Sequence, residues 1–456
     1  MIMEAMAATS PGSIGTPSDT GDLAPDLSPV AAGVLEDLWL APTPYHAVAR
    51  TSALLVEAGF EQVPHDQPLP ATDGPRFVVQ GGSLVAWIQH HTAEGYTVVG
   101  AHSDSPNLRV RTRPDVSGAG FAQIGMEIYG GVLLNSWLDR DLGLAGRVSV
   151  AGPEGPEERL FNDGRPLLRI PQLAIHLDRE IRDSGLKLDP QKHMMPLWAL
   201  GEGTEGDLRA YVAASLKVEP DQILAWDLMT YDTQPPAVVG RDSDLYASGR
   251  IDNLVSAFSA TRSLVELASA VHDDGSTPTR TPIVVIYDHE EIGSESSTGA
   301  GGPFLTTIME RIAAARGQDR ATYLASLARS VVISADGAHA THPNYVDKHD
   351  PSHHIALNAG VVVKRNANQR YATDTTSEAF AVAAARAAEV PLQYYIHRND
   401  LPCGSTIGPI TAARTGMATV DIGVPQLAMH SAREMAGLAD LDHLHTLLNA
   451  FWRAPK

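Results

Sequence analysis

Short apolar runs that stop abruptly at charged residues dominate the hydrophobic pattern of this chain. The clearest is residues 283–286, an unbroken β-branched run that leads into Asp288, Glu290 and Glu291. Such a run is typical of a strand buried on both faces of a sheet. Ligands of open α/β sheets bind outside the carboxyl ends of the strands, so the glutamate pair predicts a functional site. A solvated acidic turn would give the same local pattern, so other strands must supply matching groups.

Several other apolar runs also end in candidate ligands. A strand predicted at residues 96–101 leads into His102 and Asp104, and one at residues 330–335 leads into Asp336. The final strand signal, near residues 417–422, continues into His430. Helical spacing predicts helices after Ser28 and at residues 45–58, 252–270 and 375–388, and apolar runs predict further strands at residues 83–89, 360–364 and 391–397.

The pattern changes between residues 108 and 240, where short apolar stretches are broken by glycine and proline. This pattern predicts an inserted, mostly β domain with one helix near residues 220–226. It also predicts that His176 lies on an apolar strand. The fold class is therefore α/β, with a mixed-sheet domain interrupted by the insertion. The predicted boundaries are a flexible tail at 1–28, the first part of the mixed-sheet domain at 29–107, the insertion at 108–240 and the second part of the mixed-sheet domain at 241–456.

Charge and composition narrow the class of partner. The 456 residues carry a formal net charge of −20, which disfavours nucleic acid and anionic membranes as partners. Cys403 is the only cysteine, so the chain cannot form an internal disulfide, and a reducing compartment such as the cytoplasm is expected. The sequence shows neither an apolar stretch long enough for a membrane helix nor a secretory signal.

The residues at the strand ends form the inventory of a site that binds two metal ions. Our assignment has Asp252, at a helix start, bridging two divalent ions, with His102 and Asp336 completing one site. Glu291 and His430 would complete the other. The remaining charge would lower the pKa of a bridging water and hold hydroxide near neutral pH.

Two carboxylates are left for other roles at this site. Glu290 would act as the general base, and Asp104 would orient the ring of His102. Zinc is the leading metal on ligand type, with manganese or cobalt as alternatives.

Seven motifs together resemble the M18 family of metallo-aminopeptidases, the aspartyl aminopeptidase group. The resemblance runs from about residue 38 to 452, with one departure at Gly337, where many relatives have a larger residue. The motifs are HSDSP at 102–106, RIDNL at 250–254, DHEEIGS at 288–294, SADGAH at 334–339, NQRYA at 368–372, CGSTIGP at 403–409 and MHSARE at 429–434.

The resemblance implies a zinc-exopeptidase-like catalytic domain, a dimerisation domain as the insertion, and dimers assembled into a dodecamer. It implies that His176 reaches the active site of a neighbouring subunit, and that His353 and Lys364 line the substrate pocket, to which we add Tyr371. The expected substrates are peptides with a free N-terminus, with a preference for an acidic first residue.

Two other classes of function fit the same ligands. A metal-dependent dipeptidase or deacylase could use them, because a fold does not fix the substrate. A non-enzymatic assembly scaffold is the third possibility, although a scaffold has no need for intact ligands and a spare glutamate.

Overall fold

The computed structural model describes residues 27–274 and 278–453, and contacts divide them into two units. We call Pro106–Pro235 with His430–Arg433 the inserted unit. The main unit comprises the described residues of Leu27–Ser105, Pro236–Met429 and Glu434–Lys456. Of the predicted tail, residues 1–26 lie outside the described residues. Ser28 caps the first helix by accepting a hydrogen bond from the N–H of Ala31.

The helices predicted from spacing are present with nearly the expected bounds, and others were not predicted. In chain order the helices are α1 Pro29–Leu40, α2 Pro44–Glu57, α3 Ile181–Ser184, α4 Asp207–Leu216, α5 Ile251–Asp274, α6 Phe304–Ala315, α7 Arg320–Leu327, α8 Thr375–Ala387, α9 Ile407–Thr415 and α10 Ala439–Trp452.

The strands include every one that was predicted in the main unit. In chain order they are β1 Glu61–Gln62, β2 Gly74–Gln80, β3 Ser83–Gln89, β4 Tyr96–His102, β5 Asn107–Gly118, β6 Phe121–Tyr129, β7 Leu142–Gly152, β8 Gly155–Asn162, β9 Leu197–Leu200, β10 Ile223–Asp232, β11 Ala237–Val239, β12 Leu245–Ser248, β13 Thr281–Tyr287, β14 Val331–Ala335, β15 Ala338–His339, β16 Val361–Arg365, β17 Leu392–Ile396, β18 Ala418–Gly423, β19 Pro425–Leu427 and β20 Glu434–Gly437.

The main unit is built on a mixed nine-stranded sheet, in the order β1-β2-β3-β13-β4-β14-β18-β16-β17. At its centre β13, β4, β14 and β18 run parallel to one another. The carboxyl ends of these four strands therefore lie at one edge, which we call the carboxyl edge. A second sheet of this unit has five short strands in the order β11-β12-β20-β19-β15.

Strand β13 is buried on both faces, as its β-branched run predicts. Val284 and Ile286 face a core shared with helices such as α5 and α10, whereas Ile283 and Val285 face a second core that includes α6. This two-sided burial explains why the strand is uniformly apolar rather than alternating. The predicted α/β class with a mixed sheet is confirmed.

The inserted unit contains an antiparallel six-stranded sheet, in the order β8-β7-β10-β5-β6-β9, with its own apolar core. The helix predicted near residues 220–226 is wrong. Pro220–Gln222 form one 3-10 turn, and the chain then enters β10, which pairs with β7 over most of its length. A short apolar segment fits a helix or a strand equally well, and the pairing with β7 decides between them. The strands are also longer than the short ones expected.

Helix α5 is the one helix of the described chain long and apolar enough to meet the criteria for a membrane span. Leu254, Phe258 and Leu264 of this helix are completely buried in the core of the main unit. Its apolar composition is therefore that of a core helix packed against a sheet.

Candidate metal centre

Three buried side chains meet at the carboxyl edge of the main sheet. His102 ends β4, Asp336 follows β14 and Asp252 lies in the first turn of α5. Nε2 of His102 lies 3.5 Å from Oδ1 of Asp252 and 3.6 Å from Oδ1 of Asp336. Ligand atoms bonded to one tetrahedral zinc ion lie about 3.3 Å apart, so this spacing suits such an ion.

The backbone at Asp252 departs from helical geometry, with φ −79° and ψ 108°. Its N–H donates to Oε2 of Glu434 at 3.0 Å, and its carbonyl oxygen accepts from the hydroxyl of Ser105 at 2.6 Å. Nδ2 of Asn253 donates to the carbonyl oxygen of Ala335, at the end of β14. These bonds fix Asp252 from several directions, and sequence reasoning assigned no role to Glu434 or Asn253.

Glu290 and Glu291 occupy a 3-10 turn that follows β13. Their backbone N–H groups both donate to the carboxylate of Asp104, each at 3.1 Å, and Asp104 is completely buried. The carbonyl oxygen of Asp104 lies 2.9 Å from Nδ1 of His102, and Oδ1 lies 3.5 Å from it. An Nδ1–H that donates to this carbonyl leaves Nε2 unprotonated, which is the form that binds metal. Asp104 thus holds the glutamate turn as well as the imidazole ring.

The side chains around His102 carry an excess of negative charge and are largely buried. Burial raises the pKa of Glu290 to about 8, with further increases from the carboxylates of Asp336, Asp104 and Asp252 and an opposing effect from His102. Burial would lower the pKa of His102, but its hydrogen bonds to Asp104, Asp252 and Asp336 outweigh that effect and raise it well above its usual range. A divalent cation would offset the electrostatic repulsion between these carboxylates.

The donor set fits a transition metal. Potential ligand atoms of His102, Asp252 and Asp336 lie within 4.8 Å of one another, and so do those of His102, Glu290 and Glu291. Imidazole nitrogen combined with carboxylate oxygen is the ligand chemistry of zinc, manganese and cobalt sites. A calcium or magnesium site would be built from oxygen alone.

His430 belongs by its contacts to the inserted unit, where it has a left-handed backbone with φ 69°. Its Nδ1 lies 3.1 Å from the carbonyl oxygen of Gly131 in the same unit. If Nδ1 donates its proton there, Nε2 is left as the ligand atom. Its role as a metal ligand stays a prediction.

Lys364, predicted to line the substrate pocket, is almost completely buried in β16, with an exposed fraction of 2%. Its Nζ donates to the carbonyl oxygens of Asp336 at 3.3 Å and Gly337 at 3.0 Å, and lies 3.7 Å from Oδ2 of Asp336. The ring of Tyr371 lies 5.2 Å from the same nitrogen. The ammonium group of Lys364 therefore holds the backbone of Asp336 and Gly337 in place.

Asp421 is a buried carboxylate that sequence reasoning missed, and it lies opposite Lys364 on the neighbouring strand β18. It accepts hydrogen bonds from the N–H of Ala372 at 2.6 Å and from the hydroxyl of Thr406 at 2.5 Å. Burial raises its pKa, while Lys364 opposes the increase. Asp421 thus holds Ala372, the residue that follows Tyr371. The position of Asp421 opposite Lys364 depends on the register of β16 and β18, which the sequence pattern does not show.

The remaining predicted residues lie in loops. His353 lies between β15 and β16, with its side chain 40% exposed and its Nδ1 2.8 Å from Oδ1 of Asp350. The apolar strand predicted around His176 is wrong, because residues 175–177 form an exposed turn in the inserted unit. Leu173, Ile175 and Leu177 are 59%, 49% and 75% exposed. Their apolar pattern therefore does not come from burial in a strand.

Comparison with known proteins extends the similarity over nearly the whole chain. The sequence profile of the family described as "Aminopeptidase I zinc metalloprotease (M18)" matches residues 38–452. A relative from Streptomyces coelicolor, described as "Probable M18 family aminopeptidase 2", is 48% identical over 414 residues, covering 90% of this chain and 94% of that protein.

Solved structures agree with the sequence matches. A chain of the cryo-EM structure of the Ape4 and Nbr1 complex superposes with a TM-score of 0.87 at 33% identity, covering 93% of this chain and 85% of that one. The mApe1 dodecamer of S. cerevisiae gives a TM-score of 0.82 at 26% identity, covering 93% and 96% of the two chains.

Proposed function

Because this chain belongs to the M18 family of zinc aminopeptidases, we propose that it removes the first residue of peptides at a centre of two divalent metal ions. The observation that carries the proposal is the meeting of His102, Asp252 and Asp336 beside a glutamate pair at one sheet edge. The family assignment makes the chain a metallo-aminopeptidase. The number of ions, the ligand assignment and the substrate preference are our inferences.

In this proposal His102, Asp252 and Asp336 would hold one ion, and the distances of 3.5 and 3.6 Å from Nε2 of His102 to the two carboxylates support this assignment. Asp252 would be shared with the second ion, which Glu291 and His430 would also hold. Zinc fits the family and the mixed nitrogen and oxygen donors, and manganese or cobalt would fit the same donors.

Divalent ions bound here would lower the pKa of a water molecule and polarise the scissile carbonyl group. Glu290 would take a proton from water as the water oxygen bonds to the scissile carbonyl carbon, and would pass that proton to the amine that leaves when the C–N bond breaks. The side chain of Glu290 is 16% exposed, whereas that of His102, 4.0 Å away, is 1% exposed, so solvent can reach the glutamate. The hydrogen bonds from the turn to Asp104 keep its backbone in place.

A preference for acidic first residues is the more specific part of the proposal. Lys364 offers a positive charge and His353 a hydrogen-bonding group in a chain whose net charge is −20. The ammonium group of Lys364 already contacts Asp336 and Gly337, and the side chain of His353 is the more exposed of the two. A substrate carboxylate would be attracted by the charge of Lys364 and would contact the exposed imidazole of His353.

Cleavage of Asp-, Glu-, Leu- and Lys-initiated peptides, together with metal analysis, tests this proposal. We expect Asp and Glu peptides to be cleaved with the highest kcat/KM, and His353→Ala to reduce their advantage over Leu peptides about tenfold. His193→Ala, a substitution of an exposed histidine of the inserted unit, serves as the control. A Leu or Lys preference in the unaltered enzyme would reject the acidic pocket but not the aminopeptidase activity.

Assembly of dimers into a dodecamer and a cytoplasmic location complete the proposal. The exposed apolar side chains of Leu173, Ile175 and Leu177 support assembly, because such a cluster is usually covered by a partner. The related S. cerevisiae protein has been solved as a dodecamer. The single cysteine supports a reducing compartment.

His176→Ala should lower kcat/KM without emptying the metal site, because this histidine would act on substrate bound to a neighbouring subunit. Mixing His176→Ala subunits with inactive Glu290→Gln subunits tests this. Each mixed dimer would regain one complete site, so random pairing should restore about a quarter of full activity. Mixing confirmed by mass spectrometry without any recovery would exclude a shared site.

A further inference from the structure

A second group of metal-ligating side chains lies at the opposite edge of the main sheet from the catalytic centre. Asp73 immediately precedes β2, and His90 and His91 immediately follow β3. Because β3 runs antiparallel to β13, its end lies where β13 begins, whereas the glutamate turn lies where β13 ends. The mechanism proposed above does not use these residues.

All three side chains turn toward one another. Potential ligand atoms of Asp73, His90 and His91 lie within 4.8 Å of one another. Oδ2 of Asp73 lies 2.6 Å from Nδ1 of His91 and 3.6 Å from Nε2 of His90. Ligands of a tetrahedral zinc ion lie about 3.3 Å apart, and the two distances from Asp73 lie on either side of that value.

Hydrogen bonds from buried side chains hold together the two segments that carry these ligands. Gln89, which precedes His90 and is 1% exposed, donates through Nε2 to the carbonyl oxygens of Pro70 and Thr72, both at 3.0 Å. Arg76, 4% exposed, donates to the carbonyl oxygen and the hydroxyl of Thr72, both at 2.6 Å. Asp73 is therefore positioned before any ion binds, which lowers the entropic cost of binding.

The histidine rings are also held in position. They stack with their centroids 4.8 Å apart and an interplanar angle of 21°. Nδ1 of His90 accepts a hydrogen bond from the backbone N–H of Thr92 at 3.3 Å and lies 2.8 Å from the hydroxyl of Thr92. A metal ion that binds Nε2, the atom that faces Asp73, would replace the proton on that nitrogen.

A simple ion pair explains only part of this geometry. The contact of His91 with Asp73 is a normal hydrogen bond, but it does not require a second imidazole to face the same oxygen. Two imidazoles and a carboxylate are the ligands of many three-residue sites for borderline divalent ions, with water in the remaining position. Calcium and magnesium, which favour oxygen ligands, would not be selected.

We propose that Asp73, His90 and His91 form a peripheral binding site for a divalent transition metal such as Zn²⁺, separate from the catalytic centre. The site would hold one ion per subunit and would join the segment before β2 to the segment after β3. This proposal is independent of the proposed catalytic mechanism.

The test is the Zn²⁺ content of the full-length enzyme after dialysis against Zn²⁺, measured by atomic spectroscopy. The His90→Ala/His91→Ala double variant should hold one ion fewer per subunit than the unaltered enzyme, while its peptidase activity stays within about twofold. The His193→Ala variant should keep the full content, since its single exposed imidazole lies outside the cluster.

Asp73→Asn provides a second test because it preserves the shape of the side chain. It should weaken binding of the additional ion at least about tenfold, measured by calorimetric titration of the enzyme whose catalytic centre is already loaded. This variant replaces the double variant if the latter does not fold. Equal Zn²⁺ content and equal affinity in the folded variants and the unaltered enzyme would overturn the proposal.

Discussion

Replacing Glu290 with glutamine should reduce kcat by about 10²–10⁴-fold while leaving the metal content of the enzyme unchanged. The amide cannot accept a proton from water, but it keeps the size and shape of the carboxylate. Because Asp104 holds residue 290 through its backbone N–H, the substitution leaves that anchoring bond in place. Steady-state kinetics and metal analysis of the same sample measure the two effects.

Glu291→Gln should instead lower the metal content of the enzyme, since Glu291 is assigned as a metal ligand. An amide is a weaker ligand than a carboxylate, so bound metal should fall and activity should return in part at high metal concentration. Glu295→Gln is the matched control, because Glu295 is an exposed glutamate on the same loop. Normal metal binding and normal turnover in both Glu290→Gln and Glu291→Gln would refute the assigned roles.

Acetylation of the substrate's N-terminus should abolish cleavage. A free ammonium group can be held by the carboxylates around the metal centre, where Asp252, Asp336 and Glu290 lie close to His102. That contact places the first scissile carbonyl at the point of attack and leaves later peptide bonds out of reach. The acetyl group removes both the charge and the anchor.

Paired peptides that differ only in acetylation provide the experiment, with release of the first residue followed by chromatography. We expect the acetylated peptide to be cleaved at least about 10³-fold more slowly, consistent with the loss of a charged contact and of substrate orientation. Release of a single residue from the free peptide, then the next, would identify an exopeptidase. Efficient cleavage of the acetylated peptide would instead favour the deacylase or endopeptidase class.

The sequence alone determined the central strands and the residues at their ends. Strands buried on both faces must be apolar throughout, so residues 283–286 and 330–335 could be recognised without knowing their partners. Polar residues that end such runs are expected at one edge when the strands are parallel. His102, Glu290 and Asp336 were therefore predicted to lie near one another, and the carboxyl edge of the main sheet is where they lie.

Tertiary structure decided what local pattern does not encode, namely which distant residues meet. Asp104 binds the N–H groups of Glu290 and Glu291 from almost two hundred residues away in the chain. Asp421 lies opposite Lys364 through the register of two antiparallel strands. The spacing of hydrophobic residues indicates which face of a helix or strand is buried. The register between strands and the geometry of loops depend on the whole fold.

The two wrong predictions, a helix near residues 220–226 and a strand around His176, have the same physical origin. Residues 223–226 are apolar enough for a helix, but hydrogen bonding to β7 makes them part of β10. The apolar residues around His176 suggested a strand, but they lie in an exposed turn. In both places the sequence determined that the residues are apolar, and only pairing and surroundings determined the structure they adopt.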